Sequence, residues 1–225
     1  MKTMTKHPAT RRLLAALALL LAGTAALLST ATPARAQIAQ PDREYVTLDH
    51  PHAVATGPKI EVIEFFWYGC PICYEFQPKF SRWELQAPEY VAVRRIPVVG
   101  QESYDHFARM YYSLEATGQL ERLHWPVYDN YHFDGVKLNE EPVMFDWVAR
   151  NGVDRDKFIA AYNSDAATKQ LADTDALMKD YNIRAVPTII VDGKYMTSGR
   201  MAGSTTRLAE VLDQLVKQAR KERPN

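Results

Sequence analysis

The chain has only two cysteines in 225 residues, Cys70 and Cys73, and both fall within the stretch FFWYGCPICYEF. Two thiols are too few for a disulfide-stapled scaffold and too few for an all-cysteine zinc site. Net charge is also missing, with 27 basic and 27 acidic residues. That balance argues against nucleic acid or an anionic membrane as the main partner. Long apolar runs are confined to the N-terminus, so no later segment is long enough to cross a bilayer. The sequence shows no internal repeat and no low-complexity segment.

What is present begins with residues 1–36. A basic start, MKTMTKHPATRR, precedes the apolar run LLAALALLLAGTAALLST, and the small-x-small pattern Ala34-Arg35-Ala36 follows. These are the three parts of a secretory signal peptide, with cleavage expected after Ala36. The alternative is an uncleaved membrane anchor, which the small-residue pattern disfavours. Arg11 and Arg12 raise the twin-arginine route, but TRRLLAA fits it poorly and general export is preferred. Cleavage removes Lys2, Lys6, Arg11, Arg12 and Arg35 and no acid, so the mature chain is acidic by five charges. Its length suits one domain with a substantial core, with room for an insertion.

An exported chain meets an oxidising compartment. A structural disulfide stabilises chiefly by closing a long loop in the unfolded chain, and a Cys70–Cys73 bond closes almost nothing. A short structural bridge and a share in a metal site stay open as alternatives. The latter lacks partners: one CxxC supplies two of the four ligands zinc normally takes. None of His7, His50, His52, His106, His124 and His132 stands at ligand spacing from the pair, and packing or surface duty is expected of each. A redox-active pair is the preferred reading.

Local pattern favours it. KIEVIEFFWY is β-branched and aromatic and reads as a strand buried on both faces. Gly69 ends it. CPICYEFQPKFSRWELQ then places Ile72, Phe76, Phe80 and Trp83 near helical spacing. Pro71 suits the first turn, and Cys70 falls at the N-cap, where free N–H groups and the helix dipole favour a thiolate. Cys73 lies one turn deeper. Pro78 is expected to kink or divide the helix. A second stretch, IRAVPTIIVDGKYMTSG, reads as a loop, the strand TIIV, a turn at Asp192-Gly193 and another strand. By itself Pro187 reads as a trans loop proline. Between the strand at 90–99 and AVPTIIV lie helices: Ser103 is expected to cap one ending at Gly118, another closes at Asn151-Gly152, and Asp154 and Ser164 cap two more.

A strand–CxxC–helix unit, a distant Val-Pro-Thr leading into a hairpin, and a last helix (STTRLAEVLDQLVKQAR) resemble the thioredoxin fold. With the helical insertion and the pattern E-F-F-x(3)-C-P-x-C-Y, the mature chain resembles the periplasmic DsbA family of thiol oxidases. The resemblance implies an α/β thioredoxin fold, a central mixed sheet flanked by helices, carrying an inserted helical domain. It divides the chain into the signal peptide at 1–36, a first thioredoxin-like part at 37–102, the insertion at 103–165, and a second part at 166–225.

Carried over by residue, the resemblance makes Cys70 the nucleophile and Cys73 the resolving thiol. Pro187 becomes a cis-proline packed against the pair, with Val186 before it. Glu64 matches a buried acid, and Arg95 stands about where the family keeps that acid's basic partner. Pro71, Ile72 and Val186 would tune the redox pair. Ile72 departs from the histidine of the best-known members, which places the protein between strong oxidant and reductant, nearer the oxidant. The implied activity needs no organic cofactor and no metal, only the Cys70–Cys73 disulfide. The implied partners are unfolded exported proteins and a membrane quinone reductase of the DsbB type, with the enzyme acting as a periplasmic monomer and binding no nucleic acid. The rival readings are a partner-specific oxidase of the DsbL type, an isomerase or reductase of the DsbC/DsbG kind, for which no dimerisation domain has room, and a non-enzymatic metal or peptide carrier.

Overall fold

The run IEVIEFF (Ile60–Phe66, β2) is buried along its whole length, as expected of a strand covered on both faces. It pairs parallel with β3 (Val91–Pro97) and antiparallel with β4 (Thr188–Val191). β4 forms a hairpin with β5 (Tyr195–Ser198), and β5 pairs with the short β1 (Val46–Thr47). The mixed sheet therefore runs β1-β5-β4-β2-β3. The structure, a computed structural model, describes residues 37–223. The expected signal segment and its cleavage after Ala36 lie outside the described residues.

The hairpin turn needs positive φ at two successive residues, Asp192 (56°) and Gly193 (63°). Gly193 has a second reason to lack a side chain, because a Cβ there would collide with the His52 carbonyl.

Alternation along β2 sends Ile60, Val62, Glu64 and Phe66 to one face and Ile63 and Phe65 to the other. Ile60 and Val62 pack with Ile189 and Val191 against Phe76 and Phe80 of α1 (Pro71–Gln86) and against α8 (Thr205–Glu222). The α8 stripe Leu208, Val211, Leu212, Leu215, Val216 and Ala219 is buried, at the spacing of one helical face. On the other face Ile63, Phe65 and Ile190 meet Ile96, Tyr181 and Ile183. Each large apolar side chain buried in this way stabilises the fold by about 1.5–3 kcal/mol.

Between β3 and β4 come five helices: α2 (Glu102–Ala116), α3 (Leu120–His132), α4 (Glu141–Arg150), α5 (Arg155–Tyr162) and α6 (Asp165–Asp180). Their own core, built on Phe107, Leu114, Val127, Trp147 and Phe158, continues without a break to Phe66, Tyr68 and Cys73. A short helix α7 (Gly199–Ala202) follows β5.

Asp154 and Ser164 cap α5 and α6 as expected, accepting from the Lys157 and Ala167 amides. Ser103 and Pro78 depart from what their local cues suggest, Ser103 wholly and Pro78 in that it does not divide its helix. Ser103 is not a cap: α2 starts two residues earlier than that cap would place it, behind Gln101, and the preceding Gly100 amide is held by Asp105 Oδ1 at 2.8 Å. Pro78 does not divide α1, which runs unbroken from 71 to 86. A proline removes one hydrogen bond, and the apolar contacts of Phe76 and Phe80 on either side of Pro78 hold the helix to the sheet.

Candidate active site

Where β2 gives way to α1, the chain turns through Trp67-Tyr68-Gly69. Gly69 is required there because a Cβ would strike the Trp67 ring. The Cys70 amide donates to the Trp67 carbonyl at 3.0 Å. The His132 ring, which stacks on Tyr74, lies 2.7 Å from the Tyr68 carbonyl through Nε2 and so donates to it. The turn is thus closed on itself and tied to α3.

Cys70 is the N-cap of α1, with extended backbone (φ −86°, ψ 117°) and Pro71 in the first turn. Its sulfur accepts from the Cys73 amide at 3.3 Å. Hydrogen bonding from Cys73, by side chain and by backbone, with the Ile72 amide, outweighs burial and brings the Cys70 thiol down to about 7. Cys73 lies one turn on and is fully buried. Burial, followed by its hydrogen bond to Cys70, pushes its thiol well up. Both cysteines are thiols in this structure, and their environments set them apart: one poised to ionise near neutrality, the other held protonated.

The Val186–Pro187 peptide bond is cis, and Cys70 Sγ lies 3.8 Å from the Val186 carbonyl oxygen. The Gly199 amide donates to the Pro187 carbonyl at 3.1 Å. A Cβ on Gly199 would lie 3.4 Å from Ile72 Cγ2 and 3.6 Å from the Pro187 ring. The first turn of α1, the cis-proline loop and the start of α7 therefore meet at one point. Ile72 remains 47% exposed there, an apolar side chain beside a reactive sulfur with no polar group of its own.

Beneath the pair sits Glu64, with no exposed surface. It faces Arg95 because the two are register partners in the parallel β2–β3 ladder, so their side chains leave the same face of the sheet. Arg95 Nε is 3.4 Å from Glu64 Oε2. The hydrogen bonds of the guanidinium go elsewhere, to both carboxylate oxygens of Glu84 on α1. Arg95 thus supplies charge to Glu64 without a hydrogen bond. Burial is the largest influence on Glu64 and, against the attraction of Arg95 and a hydrogen bond from Gln77, pushes its carboxyl up to about 7. Among the described residues Glu64 Oε1 has no hydrogen-bond partner.

The structure brings Cys70, Pro71, Ile72, Val186 and Pro187 together at the start of α1, with Cys73 buried behind Cys70 and Glu64 and Arg95 beneath. Sequence reasoning missed Gln77, His124 and Tyr68. Gln77 Nε2 lies 3.3 Å from Glu64 Oε2 and 3.1 Å from His124 Nε2, and His124 Nδ1 lies 2.7 Å from the Tyr68 hydroxyl. The i, i+4 spacing of Gln77 from Cys73 puts both on one helix face and could have identified it. His124 gave no such signal, because α3 has an interior Pro126 and no side-chain N-cap.

Comparison with known proteins agrees with this geometry. Residues 61–215 match the DSBA-like thioredoxin domain family. The chain is 37% identical over 208 residues to a Burkholderia cepacia protein named thiol:disulfide interchange protein DsbA, covering 92% of this chain and 97% of that one. It is 36% identical over 178 residues to the Azotobacter vinelandii protein of the same name, covering 79% and 83%. The crystal structure of Pseudomonas aeruginosa DsbA superposes with a TM-score of 0.76 at 34% identity, covering 81% of this chain and 95% of that one. With a mixed sheet, a helical insertion and a cysteine pair at a helix start beside a cis-proline, the chain belongs to the DsbA-like thioredoxin-domain family.

Proposed function

We propose that this protein is a thiol:disulfide oxidoreductase that introduces disulfide bonds into exported proteins through Cys70 and Cys73. The observation that carries the reading is the asymmetry of the pair. Cys70 is stabilised as a thiolate at the start of α1, and Cys73 is buried and kept protonated behind it.

In the oxidised enzyme a substrate thiolate attacks Cys70 Sγ. The Cys70–Cys73 bond breaks, a mixed disulfide forms, and Cys73 takes the electron pair and a proton. Glu64, whose carboxyl titrates near 7, is the buried group suited to exchange that proton. A second substrate thiolate then attacks the substrate sulfur of the mixed disulfide. Its disulfide is released and Cys70 leaves as a thiolate, so the enzyme is reduced by two electrons and the substrate oxidised by two. The lowered pKa of Cys70 makes it the better leaving group. The peptide bonds beside Pro187 offer an edge on which an extended substrate segment can pair, and exposed Ile72 supplies apolar contact next to it. Arg95 moderates the charge of Glu64, and Pro71 and Val186 shape the ground around Cys70.

A membrane quinone reductase of the DsbB type would accept the two electrons and restore the disulfide. The enzyme acts in the periplasm as a monomer after cleavage behind Ala36.

The test is equilibration of the purified protein with glutathione, together with Cys73→Ser in an extract of exported proteins. An oxidising disulfide and mixed disulfides trapped through Cys70 are expected. A strongly reducing pair, or a variant that traps nothing, would sink the oxidase reading.

A further inference from the structure

α3 brings His124 under the cysteine loop, where it closes a line of hydrogen bonds running from Glu64 through Gln77 to Tyr68. The direction of each bond follows from the chemistry of the groups. An amide nitrogen only donates, so Gln77 Nε2 gives one hydrogen to Glu64 Oε2 and the other to His124 Nε2. His124 Nε2 therefore accepts, its proton sits on Nδ1, and Nδ1–H donates to the Tyr68 oxygen. Ser81 Oγ donates to Gln77 Oε1 at 3.3 Å, which satisfies the amide oxygen in this orientation. Gln77 is 1% exposed, and water does not compete for either hydrogen.

We propose that His124 is a positioning residue for the redox pair: as the acceptor for one Gln77 N–H, it aims the other at Glu64 and so sets the proton affinity of the carboxyl beneath Cys73. The inference rests on the exchange reading given above. His124 is not itself a proton carrier, since burial and then Arg95 hold its imidazole down to about 3. An amide is neither acid nor base near neutrality, so no proton passes from His124 through Gln77. Only orientation is transmitted. Imidazolium would present an N–H to the amide and break the line.

The other ionisable groups that bear on Glu64 are Arg95 on β3, Glu84 and Cys73 on α1, Tyr68 in the loop, Tyr111 on α2 and Tyr128 on α3. The three phenols and Cys73 are all pushed upward by burial and stay neutral near pH 7. Arg95 and Glu84 are joined by hydrogen bonds of their own, in which His124 takes no part.

The titration of Glu64 in the reduced full-length protein, read by difference infrared spectroscopy with Glu64→Gln as the assignment control, tests this. In His124→Phe the Gln77 N–H loses its acceptor inside the core, and turning the amide to relieve that loss weakens its bond to Glu64. The Glu64 midpoint should rise by about one pH unit, the scale of one hydrogen bond to a charged group. His124→Gln, whose carbonyl oxygen can accept the same hydrogen, should restore the wild-type midpoint. Gln77→Leu should raise it as His124→Phe does, and the double variant should rise no further, because the two act as one unit. Should His124→Phe fail to fold, the contrast between Gln77→Leu and His124→Gln carries the same decision. A midpoint unchanged or lowered in Gln77→Leu, or raised equally in His124→Gln, overturns the proposal. A glutathione equilibrium on the same samples separates the two claims. Wild type that exchanges normally while the midpoints stay put refutes the positioning role alone, and wild type that does not exchange refutes the functional reading beneath it.

Discussion

Replacing Glu64 with glutamine should uncover a pH dependence of stability that wild type conceals. Two buried groups push in opposite directions over the same range. Glu64 titrates at 4.5 when unfolded and near 7 when folded. Its raised pKa contributes stability that is complete below 4.5 and is lost as pH rises toward 7. His124 goes from 6.5 unfolded to about 3 folded. Its lowered pKa contributes stability that is complete above 6.5 and is lost as pH falls. Between pH 4.5 and 6.5 the folded state holds one extra proton on Glu64 and lacks one on His124. Each imbalance has a slope of about 1.4 kcal/mol per pH unit, and the two nearly cancel. Wild type should therefore be almost flat in this window. Glu64→Gln keeps only the histidine slope, so it should gain about 3 kcal/mol from pH 4.5 to 6.5. Urea unfolding at half-unit steps, with the m-value checked for constancy, measures this directly. The comparison uses slopes, so any constant offset from placing an amide beside Gln77 and Arg95 drops out. Parallel wild-type and variant curves would show that Glu64 is ionised in the folded protein near pH 6 and would refute its burial as a neutral acid.

Other outcomes follow from the same structure. Iodoacetamide should modify Cys70 alone in the reduced native protein, with a rate that rises through a midpoint near pH 7; preferential labelling of Cys73 would reverse the assigned roles. Ile72→His places an imidazole beside the Cys70 sulfur, and each unit by which it lowers the Cys70 pKa should raise the two-electron potential by about 30 mV at a pH above both values. A glutathione titration with thiolate absorbance against pH checks that, and an unchanged potential with an unchanged pKa would show that residue 72 does not set the redox poise. Gly193→Ala should lower the thermal midpoint by a margin equivalent to about 1–3 kcal/mol, because the turn needs positive φ and the new Cβ meets the His52 backbone; no change in the melt would mean the hairpin relaxes freely.

Much of this protein was readable without a fold. The buried strand at 60–66, Cys70 at an N-cap with Pro71 behind it, the caps at Asp154 and Ser164, and the Asp192-Gly193 turn are all local matters. Each depends on residues within a few positions of one another, and side-chain period, missing donors and permitted φ settle them. The resemblance drawn from EFFWYGCPICY and the distant Val-Pro added the fold and the chemistry of the pair. The boundaries of α2, the continuity of α1 through Pro78 and the existence of α3 were not legible, because packing overrode the local cues that Ser103, Pro78 and Pro126 offered. Local sequence leaves the Val186–Pro187 bond only weakly biased; the resemblance implied the cis isomer, and the tertiary structure holds it. The resemblance implied a buried Glu64 with Arg95 near it, and tertiary structure decided the geometry of that pair and the rest of the surroundings. The burial that raises the carboxyl, the register that faces it to Arg95, the bonds that divert Arg95 to Glu84, and the histidine behind Gln77 come from segments up to 60 positions apart. Burial and electric field at a buried acid are sums over space, and neighbours along the chain do not contain them.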